Sequence, residues 1–341
     1  MARFPKWIKD PGSDRLASQV AAATLNQRFG AVEYYLDRAG KSGENVESVH
    51  QLRIWTRRST EAVELYRDLL PDKSARRVVR ALKHIRKAAN EARDIDVLLH
   101  RLLQDDAGAA PPQLVKALRK QRKRAQRPIR SVRRRFISSG RLRRHAKKLR
   151  RRLSKDGRDV RFDSWATQHI GPIVEQFIVS GENDLTDFEQ LHAFRIQAKK
   201  LRYFMELTAC AFAPEFRTEL YLRIEALQER LGAINDRATA QDLFRGWLED
   251  ARPGVARHLE HLLERETDDL VGAHNDFLEW WTPERITELR DEFKRLCGSQ
   301  QCVELPAGRD CNELEENGLH GQPNRMESTH VEVLDQDTTS T

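Results

Sequence analysis

Two stretches of this 341-residue chain set a histidine and three further cations at matching intervals: His50, Arg53, Arg57 and Arg58, then His192, Arg195, Lys199 and Lys200. At about 100° per residue, His50, Arg53 and Arg57 fall near 0°, 300° and 340° on a helix, so their nitrogen donors share a stripe about 60° wide. His192, Arg195 and Lys199 repeat the stripe, and Arg202, at about 280°, extends it. Like charges at this spacing repel by about 0.2–0.5 kcal/mol per pair. Something must compensate. Either carboxylates on neighbouring helices answer the arginines, with Asp94, Asp96 and Asp236 as candidates, or both stripes face an anion and hold it through charge-assisted hydrogen bonds. The doubled occurrence favours the anion. Asp94 and Asp96 lie about 200° apart on a helix and cannot chelate one ion together. One carboxylate per stripe, Asp94 and Asp236, is expected to support the cations by pairing with an arginine.

The elements that must carry these stripes are helices. Apolar residues recur at three- and four-residue spacing from Ser13 to about Leu296, as in Leu16, Val20, Ala23 and Phe29, and strand-type alternation is absent. Breakers at Gly40 to Gly43, Pro71, Pro111-Pro112, Gly140, Gly157, Gly181, Pro214, Pro253-Gly254 and Pro283 divide the chain into about ten helices. The stripe around His50 returns around His192, and the same offset carries Ala92-Arg93-Asp94 onto Ile234-Asn235-Asp236. An all-α fold of two similar halves follows, 13–155 and 156–298, each close to a four-helix bundle. Residues 299–341 are expected to form a disordered acidic tail.

Charge narrows the partner. The total is +8, but from Cys302 to Thr341 there are 9 acids against 2 arginines, so the tail carries −7 and the body about +15. From Ala107 to Lys155 there is no acid, and 20 of the 49 positions are Lys or Arg. Such a body calls for a polyanion. No apolar run approaches the ~20 residues of a membrane span, and the four cysteines form no C-x-x-C pair, so neither a disulfide framework nor a structural zinc is expected. A cytoplasmic location is expected. No cofactor is implied. The arginines around His50 and His192 would repel a divalent cation, and neither stretch offers a second His or Cys at i+4, so no metal site is expected there.

The set Val49-His50-x-Leu52-Arg53-Ile54-x-x-Arg57-Arg58, Ala92-Arg93-Asp94-x-Asp96-Val97, Leu191-His192-x-x-Arg195-Ile196-x-x-Lys199-Lys200-Leu201-Arg202-Tyr203 and Leu231-Gly232-x-x-Asn235-Asp236 resembles the CHAD family, the conserved histidine α-helical domain. The likeness covers roughly residues 13–298. It implies two four-helix-bundle halves related by a pseudo-twofold axis, with basic residues of both lining a central groove that binds inorganic polyphosphate. It further implies association with polyphosphate granules. Carried across, the polyphosphate contacts are His50, Arg53, Arg57 and Arg58 in the first half, and His192, Arg195, Lys199, Lys200 and Arg202 in the second. Lys at 199 and 200 keeps the charge but loses the bidentate fork of arginine.

No catalytic set accompanies the stripes. Gly40-Lys41-Ser42 lacks the first glycine and the strand of a phosphate-binding loop, and neither G-x-S-x-G nor H-E-x-x-H occurs. The chain therefore reads as a polyphosphate binder without enzymatic activity. A polyphosphate or triphosphate phosphohydrolase and a non-specific nucleic-acid-binding protein are the alternatives, and weak nucleic-acid binding is compatible with the charge. Histidines among phosphate-seeking donors predict affinity that rises from pH 8 to pH 6. The charge itself predicts salt sensitivity: as for single-stranded nucleic acid, the log-log slope should be roughly −0.7 per cation neutralised. Titrations with polyphosphate at several salt concentrations check this, and a flat response would contradict it.

Overall fold

The computed structural model describes residues 4–8, 15–41, 45–104, 111–150, 153, 160–249 and 251–298. The acidic tail expected over 299–341 lies outside them. Among the described residues the chain forms ten α-helices: α1 (Ala17–Lys41), α2 (Val46–Leu65), α3 (Asp72–Gln104), α4 (Pro112–Arg133), α5 (Arg141–Arg150), α6 (Phe162–Gly181), α7 (Phe188–Thr208), α8 (Tyr221–Leu248), α9 (Pro253–Trp280) and α10 (Pro283–Gly298). Prolines open α4, α9 and α10, where the missing N–H costs nothing and φ is already helical. The side chains of Asn45 and Asp187 cap α2 and α7, accepting from the N–H groups of Ser48 (2.7 Å) and Glu189 (2.9 Å). Both stripe-bearing helices therefore have fixed starts. Gly140, at φ +63°, supplies the left-handed turn that separates α5 from the basic segment before it.

In chain order the helices fall into two runs of five, α1–α5 and α6–α10, with Gly140 before α5 and Pro283 opening α10. Helices at the same place in each run of five lie side by side: α2 packs on α7, α1 on α6 and α3 on α8. Arg15 and Phe162, with Val160 and Ala17, exchange backbone hydrogen bonds of 3.0 and 2.9 Å, tying the start of α1 to that of α6. The apolar spacing is what lets these helices pack. Val78, Leu82, Ile85, Ala89 and Ala92 are buried along α3, and their counterparts in the second half, Leu220, Ile224, Leu227, Leu231 and Ile234, are buried in the same order.

The α2–α7 contact is held by one carboxylate. Glu206 of α7, 1% exposed, accepts two hydrogen bonds from Arg58 of α2 (3.1 and 3.0 Å), one from Arg202 (3.2 Å) and one from the Tyr221 hydroxyl (3.2 Å). Arg28 of α1 is wholly buried beside this network. It donates to the Lys6 carbonyl, lies 5.1 Å from the Trp55 ring centre, and feels the Glu206 charge. Burial brings its guanidinium down to about 10. A short N-terminal strap lies before the expected start of the fold and joins both runs of helices. Phe4 sits edge-on to Tyr34, Tyr35 and Trp55, Trp7 packs on Tyr221 with centroids 4.5 Å apart, and Lys6 pairs with Glu225 at 3.2 Å.

Removing one partner of such a pair strands buried charge, which costs about 3–5 kcal/mol. Glu206→Gln is accordingly expected to lower urea stability by an amount in that range, and a loss below about 1 kcal/mol would show that the node does not hold the two runs of helices together.

Candidate anion-binding site

On α2, Arg57 and Arg58 are neighbours in sequence but about 100° apart around the helix. Arg58 points to Glu206. Arg57 makes no ion pair among the described residues. Its charge acts on Arg53 and Glu61 of its own helix, on Arg86 of α3, and on Arg195 and Lys199 of α7. The middles of the two stripes therefore meet across one seam, with Arg57 between them.

Arg86, Arg195 and Lys199 likewise make no ion pair among the described residues, and each is partly buried. Burial, then the charges of Arg57, Arg195 and Arg202, push the Lys199 ammonium down to about 7, against the opposing pull of Glu61. Burial and then Arg57 also lower Arg195 and Arg86. Glu61 is the carboxylate of this cluster. Burial raises it above the usual carboxylate range although Arg57 and Arg86 draw it down. A set of partly desolvated cations exceeding its carboxylates is electrostatically unfavourable until an anion arrives.

The remaining stripe residues divide by their partners. Arg53 donates to Asp94 Oδ1 (3.2 Å) and to the Asn90 carbonyl (3.4 Å), the supporting pair expected for the first stripe. Asp236 is exposed and acts on Arg195 from beyond ion-pair distance; its backbone carbonyl accepts from Arg101 at 3.3 Å. Asp96 is buried against Arg122 of α4 (2.6 Å), away from the stripes. His192 and Lys200 are exposed at the rim, and Lys200 donates to Gln176 at 3.1 Å. His50 is half-buried, and burial followed by the Arg93 charge holds it below the ordinary imidazole range, against the pull of Glu47. Arg58 and Arg202 are committed to Glu206. The charge of that carboxylate keeps Arg202 above the ordinary guanidinium range although burial opposes it.

Glu61, Arg86 and Arg93 belong to the site although the motif spacing does not single them out. Glu61 lies four residues after Arg57, on the same stripe, and Arg86 and Arg93 lie seven apart on one face of α3. A cavity of about 310 Å³ adjoins Asp94, but Glu91 and Asp94 oppose Lys87 in its wall and Leu98, Leu243 and Trp247 complete it, so its lining does not suit a polyanion. Among the described residues no three His, Cys, Asp or Glu side chains are grouped to hold a metal ion, and no helix is long and apolar enough to cross a membrane.

Two solved structures share this architecture. The CHAD domain from the plant Ricinus communis is 21% identical, with a TM-score of 0.60 over 85% of this chain and 96% of that one. PptA from Streptomyces chartreusis is 16% identical, with a TM-score of 0.55 over 78% of this chain and 99% of that one. No curated protein matches the chain by sequence. The sequence profile of the CHAD domain matches residues 23–245, which include both stripes and the seam between them, and the chain therefore belongs to the CHAD family.

Proposed function

We propose that this CHAD protein binds inorganic polyphosphate, without turning it over, at the cluster formed by Arg57, Arg86, Arg195 and Lys199, with Arg53, His50, His192 and Lys200 toward its edges. The observation that carries the proposal is the uncompensated charge at the seam: these central cations are partly desolvated and lack ion pairs among the described residues, and the charge of Arg57 reaches each of the other three. A phosphate chain offers several oxygens per unit, each able to accept from a charged donor. Guanidinium groups suit it because their planar fork engages two oxygens at once, while Lys199 supplies a compact point charge. Arg58 and Arg202, although on the same helices, are assigned to the protein interior. Hydrolysis would call for a carboxylate-held metal and an activated water, whereas the seam is rich in donors. Cytoplasmic residence and association with polyphosphate granules are part of the same reading.

A charged hydrogen bond contributes ~1.5–3 kcal/mol. Arg57→Ala should therefore weaken polyphosphate binding by about tenfold or more. Calorimetric titration with chains of defined length measures this, and an unchanged affinity would remove Arg57 from the site.

The pH response belongs chiefly to Lys199. In the free protein its ammonium titrates at about 7, while a bound polyanion favours the charged form and raises that value. Binding above pH 7 then takes up a proton, so affinity falls as pH rises through 7 toward the bound-state value, by at most about tenfold per pH unit. Below 7 the group is charged in both states and its contribution is flat. Lys199→Arg, always protonated, should bind with a much shallower slope between pH 7 and 9. The same slope in both proteins would assign the response elsewhere.

A further inference from the structure

The site at the seam does not use the exposed cations of α3 and α5. Four of the α3 cations, Arg77, Arg80, Lys83 and Arg86, follow one another at every third position. Such a row forms a ridge inclined to the helix axis: each step turns about 60°, so four residues sweep about half a turn over about 13 Å. The ridge starts at Arg86, inside the cluster with Arg57. It ends at Arg77, whose charge acts on His145 of α5 together with those of Arg141, Arg144 and Lys148. The two helices pack directly, and His84 of α3 meets Phe136, in the segment between α4 and α5, with ring centres 6.0 Å apart. Arg77, Arg80, Lys83, Arg144 and Lys148 are all exposed and make no ion pair among the described residues. Arg76 and Arg143 are different, being held by Asp72 and Glu33.

The row of four cations is not repeated at the matching positions of the other run of helices. The equivalent positions of the second half, on and just before α8, are Glu219, Leu222, Glu225 and Gln228, and Glu225 is itself engaged by Lys6 and the Tyr221 hydroxyl. The matched burial of Val78, Leu82 and Ile85 with Leu220, Ile224 and Leu227 fixes that register.

Resting on the polyphosphate reading above, we propose that a long polyphosphate chain leaves the seam on one side only, along the Arg86–Lys83–Arg80–Arg77 ridge of α3 and onto Arg144 and Lys148 of α5. This track is a second, length-dependent binding segment that chains too short to leave the seam do not reach. Its shape selects the occupant. A thin, flexible chain can follow half a turn around a helix about 10–12 Å across, whereas a duplex with a persistence length of ~150 bp cannot. Single-stranded nucleic acid would look for aromatic faces to stack on, and Phe136, the aromatic residue of the basic segment, is buried.

The test compares the whole protein with a variant carrying Arg80→Ser, Lys83→Ser, Arg144→Ser and Lys148→Ser, its folding verified by circular dichroism and thermal melting. Each is titrated with polyphosphate of a few units and of about a hundred units over a range of salt. The expected result is that short-chain affinity is unchanged within about twofold. Long-chain affinity should fall at least tenfold, and its log-log salt slope should lose up to about 3, from roughly 0.7 per cation removed. An unchanged long-chain slope and affinity, or equal losses for both lengths, would overturn the track. If single-stranded RNA of matched charge displaces the long chain as well as polyphosphate does, the occupant is wrongly assigned. Failure of the underlying reading looks different: the unmodified protein would bind neither length of polyphosphate, and the track would fall with it.

Discussion

A single buried carboxylate, that of Glu206, decides which cations of the α2–α7 seam are satisfied within the protein. It takes two nitrogens of Arg58, Nε and Nη2, and one of Arg202, and its charge reaches Arg28 on α1. Packing α2 on α7 brings two basic stripes together, which no isolated pair of helices would favour. Glu206 neutralises one flank of that contact and allows the helices to close. The other flank, with Arg57, Arg195 and Lys199, keeps an excess of positive charge. A neutralised flank and a charged flank thus come from the same contact, divided by which way a side chain leaves its helix.

Desolvation then determines the character of the open flank. Water at the surface would screen the cations and make their repulsion small. Partial burial at the seam disfavours the charged ammonium directly and also removes much of that screening, and together these bring Lys199 to about 7. The same burial makes an incoming phosphate interact more strongly than it would with lysines in free solution. The exposed cations of α3 and α5, Arg77, Arg80, Lys83, Arg144 and Lys148, differ in kind, because they are solvated and their charge is screened by salt.

The stripes are legible in the sequence because a helix fixes the angles between its own residues, and the spacing of His50, Arg53 and Arg57 needs no knowledge of anything else. The helix count is legible for a similar reason, since Gly140 and the prolines act locally. What each cation meets across the fold is not. Helix geometry already sets Arg58 about 100° from Arg57, but that this direction leads to Glu206, 148 residues away, is not visible in the sequence. Nor is the contrast among the titratable groups: burial lowers His50, His192 is exposed, and Lys199, partly buried among arginines of both stripes, is brought to about 7. The block after Ala107 carries charge at almost every angle, yet Leu114, Leu118, Ile129 and Val132 form a buried face, and Arg122 fits into it because Asp96 waits there. The strap of Phe4 to Ile8 is hidden in the sequence because two aromatics in a short polar lead have no periodicity to reveal them.

The central claim is that the seam holds charge the fold itself does not need, in readiness for a polyanion. Urea denaturation with and without saturating polyphosphate, on the unmodified protein and on the Arg57→Ala, Lys199→Ala double variant, tests it most directly. Ligand that binds only the folded state stabilises by an amount set by its concentration relative to Kd, about 2.7 kcal/mol at a hundredfold excess. The account predicts that the variant is at least as stable as the unmodified protein without ligand, since repulsion has been relieved, and clearly less stable with it. A variant that is less stable without polyphosphate, and that gains as much from the ligand as the unmodified protein does, would contradict the account.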